Sequence, residues 1–553
     1  MTEPLSTEPM GTEPMATEPT GTEPLSSTPR PRARRGLMIG ARIVTGTIAS
    51  GVALVVVAAV GLIPLPTVSA APRTATVQPA AADQVRVCPG AAVRLGDETG
   101  GQADSAFAIG TPNVDSTVVD GQLEGASLAH SDAGSGGTSS APQVLRVATA
   151  DGALLAGAQS QDVDAPDFHG LTSASCAEPS GSIWLVGGAL TVGRTTLLLL
   201  ANPTDVDSEV SLEIWGEQGA VAAPGMAGIA VAAGTQVVLS LAGFAPGLAS
   251  PVVHVTARGG RVVADLQQSV VRGLDAVGVD TIGGSADPSM SVVVPGIRIL
   301  DAVGTARASA LADWQDVIAA VRIAAPGGVD ATVTVRVVPE KAGDLGTSFN
   351  ISVPAGTVVE MPLDSVADSE TVDGSGGGAT GSGDSAGSGD SAGDGSEELR
   401  LGDGRYTVFV DSDQPVVAAV RATTAVDSAS DSGPRSTAAP PSDLAWFSSA
   451  PALGDTTLIA VPNAPEPVIS IVNPGSEDVQ AQLTSRAGGS VPTQLLVPAG
   501  GTVSIVVAPG SSYLLTGGTG LGVAVTSAAP GELAAFVVSP PRPVSGPIVI
   551  HTD

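Results

Sequence analysis

Beyond Ala70 the chain is a succession of short apolar runs in which Val, Leu, Ile and Thr alternate with polar residues, each run bounded by Gly, Pro, Asn or Asp. A period of two with such boundaries predicts strands and turns, because successive side chains of a strand point to opposite faces. The helical period of 3.6 is almost absent. The runs also fall into a larger repeat. In the first copy Leu197–Ala201 ends in Asn202-Pro203, and Ala233-Gly234-Thr235 opens the alternating run Gln236–Leu241. Val253–Ala257 and Val262–Leu266 close it. In the second copy Val321–Ala325 is followed by Pro326-Gly327, Ala355-Gly356-Thr357, Tyr406–Val410 and Pro415–Val420. In the third, Ile469–Val472 is followed by Asn473-Pro474-Gly475, Gly500-Gly501-Thr502, Leu521–Val525 and Leu533–Val537. The turn proline precedes the glycine of the second turn by 31, 30 and 26 residues. A Trp precedes or opens each copy (Trp184, Trp314 and Trp446), and each is expected to anchor the core of one β-sandwich.

The N-terminus has a different pattern. Thr-Glu-Pro recurs at Thr2, Thr7, Thr12, Thr17 and Thr22. A proline every fifth residue removes backbone donors and fixes φ, so a disordered tail is expected. Arg30, Arg32, Arg34, Arg35 and Arg42 follow, and then Ile43–Ile63 runs 21 residues without a charge. That length crosses the ~30 Å hydrocarbon of a bilayer as a helix. The arginines place the N-terminus in the cytoplasm and the chain beyond Pro64 outside it. The expectation is a single-pass cell-membrane protein that contacts the lipid bilayer through Ile43–Ile63. The alternative is secretion after cleavage at Ala70, since Val68-Ser69-Ala70 has the small residues of a cleavage site.

The expected architecture is mostly β: three tandem β-sandwich-like modules after a single N-terminal transmembrane helix, with a disordered tail and linkers. Residues 1–36 form the tail with its arginine cluster, 37–64 the helix, and 65–175 an N-terminal extracytoplasmic strand and loose linker, loosest over 97–142. The sandwiches span 176–290, 291–421 and 444–553. A disordered Gly/Ser/Asp insert occupies 364–398, and a Ser/Ala/Pro linker occupies 422–443. Modules joined by such linkers are expected to unfold largely independently.

Composition narrows the function. Of 553 residues, 24 are Lys or Arg and 55 are Asp or Glu, a net charge of −31, which repels phosphate backbones and argues against nucleic acid as a partner. With two Cys and four His the chain cannot build a Cys/His zinc framework, so no metal or other cofactor is expected. Cys88 and Cys176 both lie on the exported side, where an oxidising compartment favours a structural disulfide. Gly383-Asp384-Ser385-Ala386-Gly387 and Gly389-Asp390-Ser391-Ala392-Gly393 mimic a serine-hydrolase fingerprint, but a duplicated low-complexity string lacks the rigid turn and nearby base that a nucleophile needs. His254 alternates with Val253 and Val255 and is expected on the solvent face of a strand. His130, His169 and His551 fall in loop-like or terminal sequence, with Asp164 and Asp167 near His169. No catalytic residue is assigned, and the chain is not expected to be an enzyme.

Residues 83–540 resemble the uncharacterised actinobacterial family called domain of unknown function 5719. The resemblance is carried by Cys88-Pro89-Gly90, Cys176-Ala177-Glu178-Pro179, Trp184-Leu185-Val186-Gly187-Gly188 and Arg194 ahead of Leu197–Leu200. The Asn202-Pro203 and Ala233-Gly234-Thr235 turns and Val253-His254-Val255 complete it. It implies a membrane segment followed by an extracytoplasmic β-rich body, and no known activity. It also implies an envelope partner, with a glycosyltransferase as the candidate. The expected function is a structural or protein-interaction role in the cell envelope. The alternative is a carbohydrate- or peptidoglycan-binding module, and the third reading is an envelope-glycan enzyme.

Overall fold

The structure is a computed structural model that describes residues 51–52, 73–77, 83–96, 105–130, 140–148, 153–341, 345–363, 370–373, 401–426, 440–488, 490–540 and 548–552. The chain divides into a body, Val77–Ile548, and a second unit made of Met1–Thr76 with Val549–Asp553. At the second unit, Arg73–Val77 pairs with Ile548–Thr552 in a two-stranded sheet. The tail 1–36 and nearly all of 37–64 lie outside the described residues. Of Ile43–Ile63 only Gly51 and Val52 are described, and both are helical. Among the described residues no helix is long and apolar enough to cross a membrane.

The body is mostly β; its one α-helix among the described residues is Ala302–Ala308. Three pairs of sheets follow one another with the same order of pairing. In the first, one sheet runs Ser182–Val186, Val252–Gly259, Ser208–Gly216, with Gly219–Val221 and Ile229–Val231 on its far edge. The facing sheet runs Asp275–Ile282, Val263–Arg272, Arg194–Asn202, Thr235–Ser240. In the third, the sheets run Thr456–Ala460, Ser512–Thr516, Val479–Ser485, Thr493–Val497 and Glu532–Val537, Gly522–Ala529, Val468–Val472, Thr502–Val506. In the second, the 22-residue strand Gly404–Ala425 serves both sheets. Its first half pairs with Ser289–Ile299 and Ala331–Pro339, and its second half with Ala320–Ala324 and Ser442–Ser448.

The alternating strands behave as period-two logic requires. In Ala331–Pro339, residues Val333, Val335 and Val337 are buried between half-buried or exposed neighbours. Leu197–Leu200 is apolar without alternation because both its faces are covered: Leu198 and Leu200 face the sandwich core, while Leu197 and Leu199 pack on Val93 from outside. The second turn of each copy is stabilised identically. Gly234, Gly356 and Gly500 have φ of 70°, 67° and 62°, a left-handed backbone that costs glycine nothing. The preceding residue is held by an aspartate: Ala233 N–H donates to Asp207 at 2.8 Å, Ala355 to Asp330 at 2.9 Å, and Ala499 to Asp478 at 3.0 Å.

Four expectations are corrected where the described residues reach them. The stretch 97–142 is not loose where it is described: Ala106–Ile109, Asn113–Val119 and Leu123–Ser127 are strands paired respectively with Ala92–Leu95, Leu154–Ala165 and Gln143–Val147. In Asn113–Val119 the pairing is backed by Val114 and Val118, which pack against the buried Leu145, Val147 and Leu155. The linker at 422–443 is in part a hairpin: Ala422–Ala425 pairs with Ser442–Ala445, and 427–439 lies outside the described residues. Most of the insert 364–398 also lies outside them, but Glu370–Asp373 pairs with Leu345–Ser348. Finally, the sheet pairs are not separate beads. One apolar core joins Leu198, Leu200 and Leu212 of the first pair to Trp446 and Val417 of the second, and another joins Val335 and Phe447 of the second to Leu533 of the third.

Candidate functional site

The outer face of the sheet Ser182–Val186, Val252–Gly259, Ser208–Gly216 carries an aromatic and polar cluster. Registry sets Trp184 opposite His254 and His254 opposite Glu213. Ser182 lies two residues before Trp184 and Trp215 two residues after Glu213, so all five side chains share this face. Leu185 points the other way, into the core. The Trp184 ring stacks on the His254 imidazole at 4.2 Å and 8°, and on Trp215 at 5.3 Å and 22°. These contacts hold the imidazole in one plane.

Both ring nitrogens of His254 are engaged. Nδ1 lies 2.9 Å from Glu213 Oε2, and Nε2 lies 2.9 Å from Ser182 Oγ. An ionised carboxylate only accepts hydrogen bonds, so Nδ1 carries the proton. In the neutral ring Nε2 is then the acceptor, and the Ser182 hydroxyl donates to it. This is the order of contacts by which a base polarises a serine and a carboxylate orients the base. The His254 side chain is 15 % exposed and that of Glu213 is 62 % exposed. Ser182 and Trp184 line a cleft of about 250 Å³. Trp184, His254, Glu213 and Trp215 line a second cleft of about 410 Å³, closed from the opposite side by Pro326, Val329 and Pro415. Trp184 is the wall between the two.

His254 therefore sits on a strand as expected, but its ring is stacked and doubly bonded. His169 is also on a strand, Phe168–Ser175, with Nδ1 4.0 Å from Asp164 Oδ1, while Asp167 pairs with Arg94 at 3.6 Å. His130 and His551 occupy the strands Ala129–His130 and Ile548–Thr552. The two Gly-Asp-Ser-Ala-Gly strings lie outside the described residues. Cys88 and Cys176 are joined in a disulfide, buried with Leu145, Val147 and Leu155. Trp184, Trp314 and Trp446 are buried. None of the three anchors a sandwich of its own: Trp184 lies on the outer face of its sheet against His254, and Trp314 and Trp446 lie in the core that joins the first and second sheet pairs, so Trp446 does not anchor the third. The signal for this was weak, because Pro441–Ala445 carries little to mark it as a strand of the preceding copy.

Buried polar groups sit where the sheet pairs meet. Arg322, wholly buried, donates to the carbonyls of Gly188 and Pro251 at 2.9 Å each and to Glu360 Oε2 at 2.5 Å. Burial resists ionisation of Glu360, but Arg322 and Arg421 outweigh it and hold the carboxyl below its ordinary range. Asp316 is gripped by Arg194 at 2.5 Å and Arg272 at 2.7 Å. Burial pushes Asp316 up, yet these guanidiniums bring it below the usual carboxylate range. Asp443 accepts from the backbone N–H of Leu171 at 2.8 Å, Leu533 at 3.0 Å, Leu444 at 2.9 Å and Val279 at 3.3 Å. One carboxyl thus binds the N-terminal strands, the first sheet pair and the third. Burial drives Asp443 well above the ordinary range, against the pull of the backbone bonds from Leu171, Leu533 and Leu444. Gly170 and Gly278 leave room for it, since a Cβ at either position would collide with Asp443 or with Leu444 beside it.

No group of three His, Cys, Asp or Glu among the described residues is placed to hold a metal ion. No curated protein and no solved structure matches the chain. A family model does match, over residues 132–373 and 397–508, which include the sheet that carries Trp184 and His254. The chain belongs to this family, the family of unknown function DUF5719.

Proposed function

We propose that the chain is a membrane-tethered, extracytoplasmic scaffold of the cell envelope, in which three tandem sandwich modules act as one rigid body that docks an envelope protein. Ile43–Ile63 spans the bilayer, the Thr-Glu-Pro tail stays in the cytoplasm, and the acidic body projects outward. The observation that supports a scaffold is the Asp443 junction, where one carboxyl receives N–H groups from the N-terminal strands and from the first and third sheet pairs. A junction of this kind fixes the relative positions of the modules, as a platform requires. A glycosyltransferase of the envelope is the partner class to look for.

The test is fractionation followed by cross-linking. The full chain stays with membranes after a carbonate wash, and mild cross-linking in intact cells captures a reproducible envelope protein. Recovery mainly in the medium, with an N-terminus at Ala71, overturns the tether. Capture of bulk envelope alone overturns the docking role. A second reading, a carbohydrate-binding module, is favoured by one observation: the Trp184–Trp215 stack borders the cleft of about 410 Å³. It requires saturable polysaccharide binding that Trp215→Ala abolishes.

A further inference from the structure

We propose that Ser182, His254 and Glu213 form an acyl-transfer site, and that the chain hydrolyses a carboxylic ester. The proposal is independent of the scaffold reading, because it concerns the chemistry of one sheet face wherever the protein resides. Three observations carry it. The hydroxyl, imidazole and carboxylate are linked in sequence at 2.9 Å and 2.9 Å, through opposite nitrogens of one ring. The ring is held flat against Trp184, so the orientation of the imidazole is fixed by stacking as well as by its two hydrogen bonds. Ser182 is exposed and opens onto a cleft of about 250 Å³, so its oxygen is accessible.

The reaction is a double displacement. Ser182 Oγ attacks the ester carbonyl carbon while its proton passes to His254 Nε2. The tetrahedral intermediate collapses as the C–O bond of the alcohol breaks, and the alcohol leaves with the proton from Nε2. Water then attacks the acyl-serine, gives a proton to Nε2, and releases the carboxylic acid and the free serine. No oxidant, metal or co-reactant is needed. Glu213 acts through its bond to His254 and is a positioning residue.

The surroundings define the ester. Trp184 lies between the serine cleft and the larger one lined by Trp215, Pro326, Val329 and Pro415, so its ring offers a substrate at Ser182 an apolar wall. The body's strong negative charge disfavours anionic esters. A short-chain ester of an uncharged alcohol, such as an O-acylated sugar, fits both conditions.

The full chain, purified in detergent, is treated with a fluorophosphonate probe and assayed with p-nitrophenyl acetate and an O-acetylated disaccharide. Wild type is labelled at Ser182 and turns over both esters. Ser182→Ala abolishes labelling and reduces turnover to the uncatalysed rate, with an unchanged urea midpoint. His254→Gln lowers kcat by about 100-fold or more, the usual effect of losing a general base. Glu213→Gln lowers kcat by about 10-fold at unchanged KM, and Glu213→Asp restores most of it, a rescue that a purely structural role would not produce. An unlabelled wild type, or equal hydrolysis by wild type and Ser182→Ala, overturns the proposal.

Discussion

The indole N–H of Trp446 donates to Gln268 Oε1 at 2.6 Å, across the boundary between the second sheet pair and the first. The backbone N–H of the same residue donates to Asp280 Oδ2 at 2.7 Å. Arg322 lies 4.3 Å over the ring and Arg421 5.8 Å from its centre. One side chain therefore combines apolar burial, two cation–π contacts and a bond to a neighbouring sheet.

Trp446→Ala removes all of this at once. A buried Trp→Ala change costs roughly 3–5 kcal/mol, and here it also leaves Gln268 without its donor. The expected result is a single unfolding transition shifted strongly downward in urea, followed together by fluorescence and circular dichroism. Two separated transitions in wild type would contradict the continuous core.

Arg322 tests the ionic part of the same junction. Arg322→Met keeps the volume of the side chain but leaves Glu360 with Arg421, 3.3 Å away, as its remaining ionic partner, and breaking a buried pair in this way costs roughly 3–5 kcal/mol. Adding Glu360→Gln recovers part of the loss, because the carboxylate that Arg421 alone still compensates is gone, and Arg421 then gives up that partner. A double-mutant cycle by urea denaturation reads this coupling. Additive single effects would show that the pair acts through packing alone.

Stability also depends on pH through Asp280 and Asp265. Burial pushes Asp280 from 3.8 to about 8, against weaker pulls from the N–H groups of Trp446 and Thr281, and pushes Asp265 to about 7. Among the described residues Asp280 Oδ1 has no hydrogen-bond partner, which suits a neutral carboxyl. Between pH ~4 and the folded values the native state holds protons that the unfolded state has released, so stability falls as pH rises through this window. Asp316 and Glu360 act oppositely, and their contribution is lost as pH falls below the carboxylate range. Asp280→Asn therefore flattens the decline between pH 5 and 7 by up to about 1.4 kcal/mol per pH unit, the value for one proton. Urea midpoints measured across that range decide it, and parallel slopes in the two proteins would refute the assignment.

The strands were legible wherever one face is wet. Val333, Val335 and Val337 alternate in sequence and in burial. The turn glycines were equally plain, since Gly234, Gly356 and Gly500 recur and only glycine takes their φ cheaply. The aspartates that hold those turns, Asp207, Asp330 and Asp478, lie 26, 25 and 21 residues upstream, and the variable spacing hid them. The Ser182–His254–Glu213 site was invisible for a related reason: its residues are 72 and 41 positions apart and meet only through strand registry. Within 97–142, Leu123–Ser127 escaped because Gly, Ala and Ser carry no alternation, and Asn113–Val119 because its valines fall at 114, 118 and 119, out of step with a period of two.

The disulfide gives the last prediction. Cys88 and Cys176 close a separation of 88 residues with Cα atoms 4.0 Å apart, and a loop of that length contributes roughly 4–5 kcal/mol in the chain-entropy model. Independent modules would confine the effect of its loss to the first sheet pair. The packing requires otherwise. Cys176 N–H donates to Gly157 O at 2.9 Å, and the same strand places Ala156 and Ala158 in one core with Leu458 and Leu515 of the third pair. Gly157 itself has no room for a Cβ beside the Cys176 sulfur. Loosening Cys176 therefore loosens the strand on which the third sheet pair rests. Cys176→Ser should lower stability by roughly 2–5 kcal/mol, the usual cost of losing a native disulfide. In hydrogen exchange it should reduce protection in Val468–Val472 as well as in Arg194–Asn202. Protection lost in Arg194–Asn202 and retained in Val468–Val472 would mean that the sheet pairs unfold separately, against the shared cores.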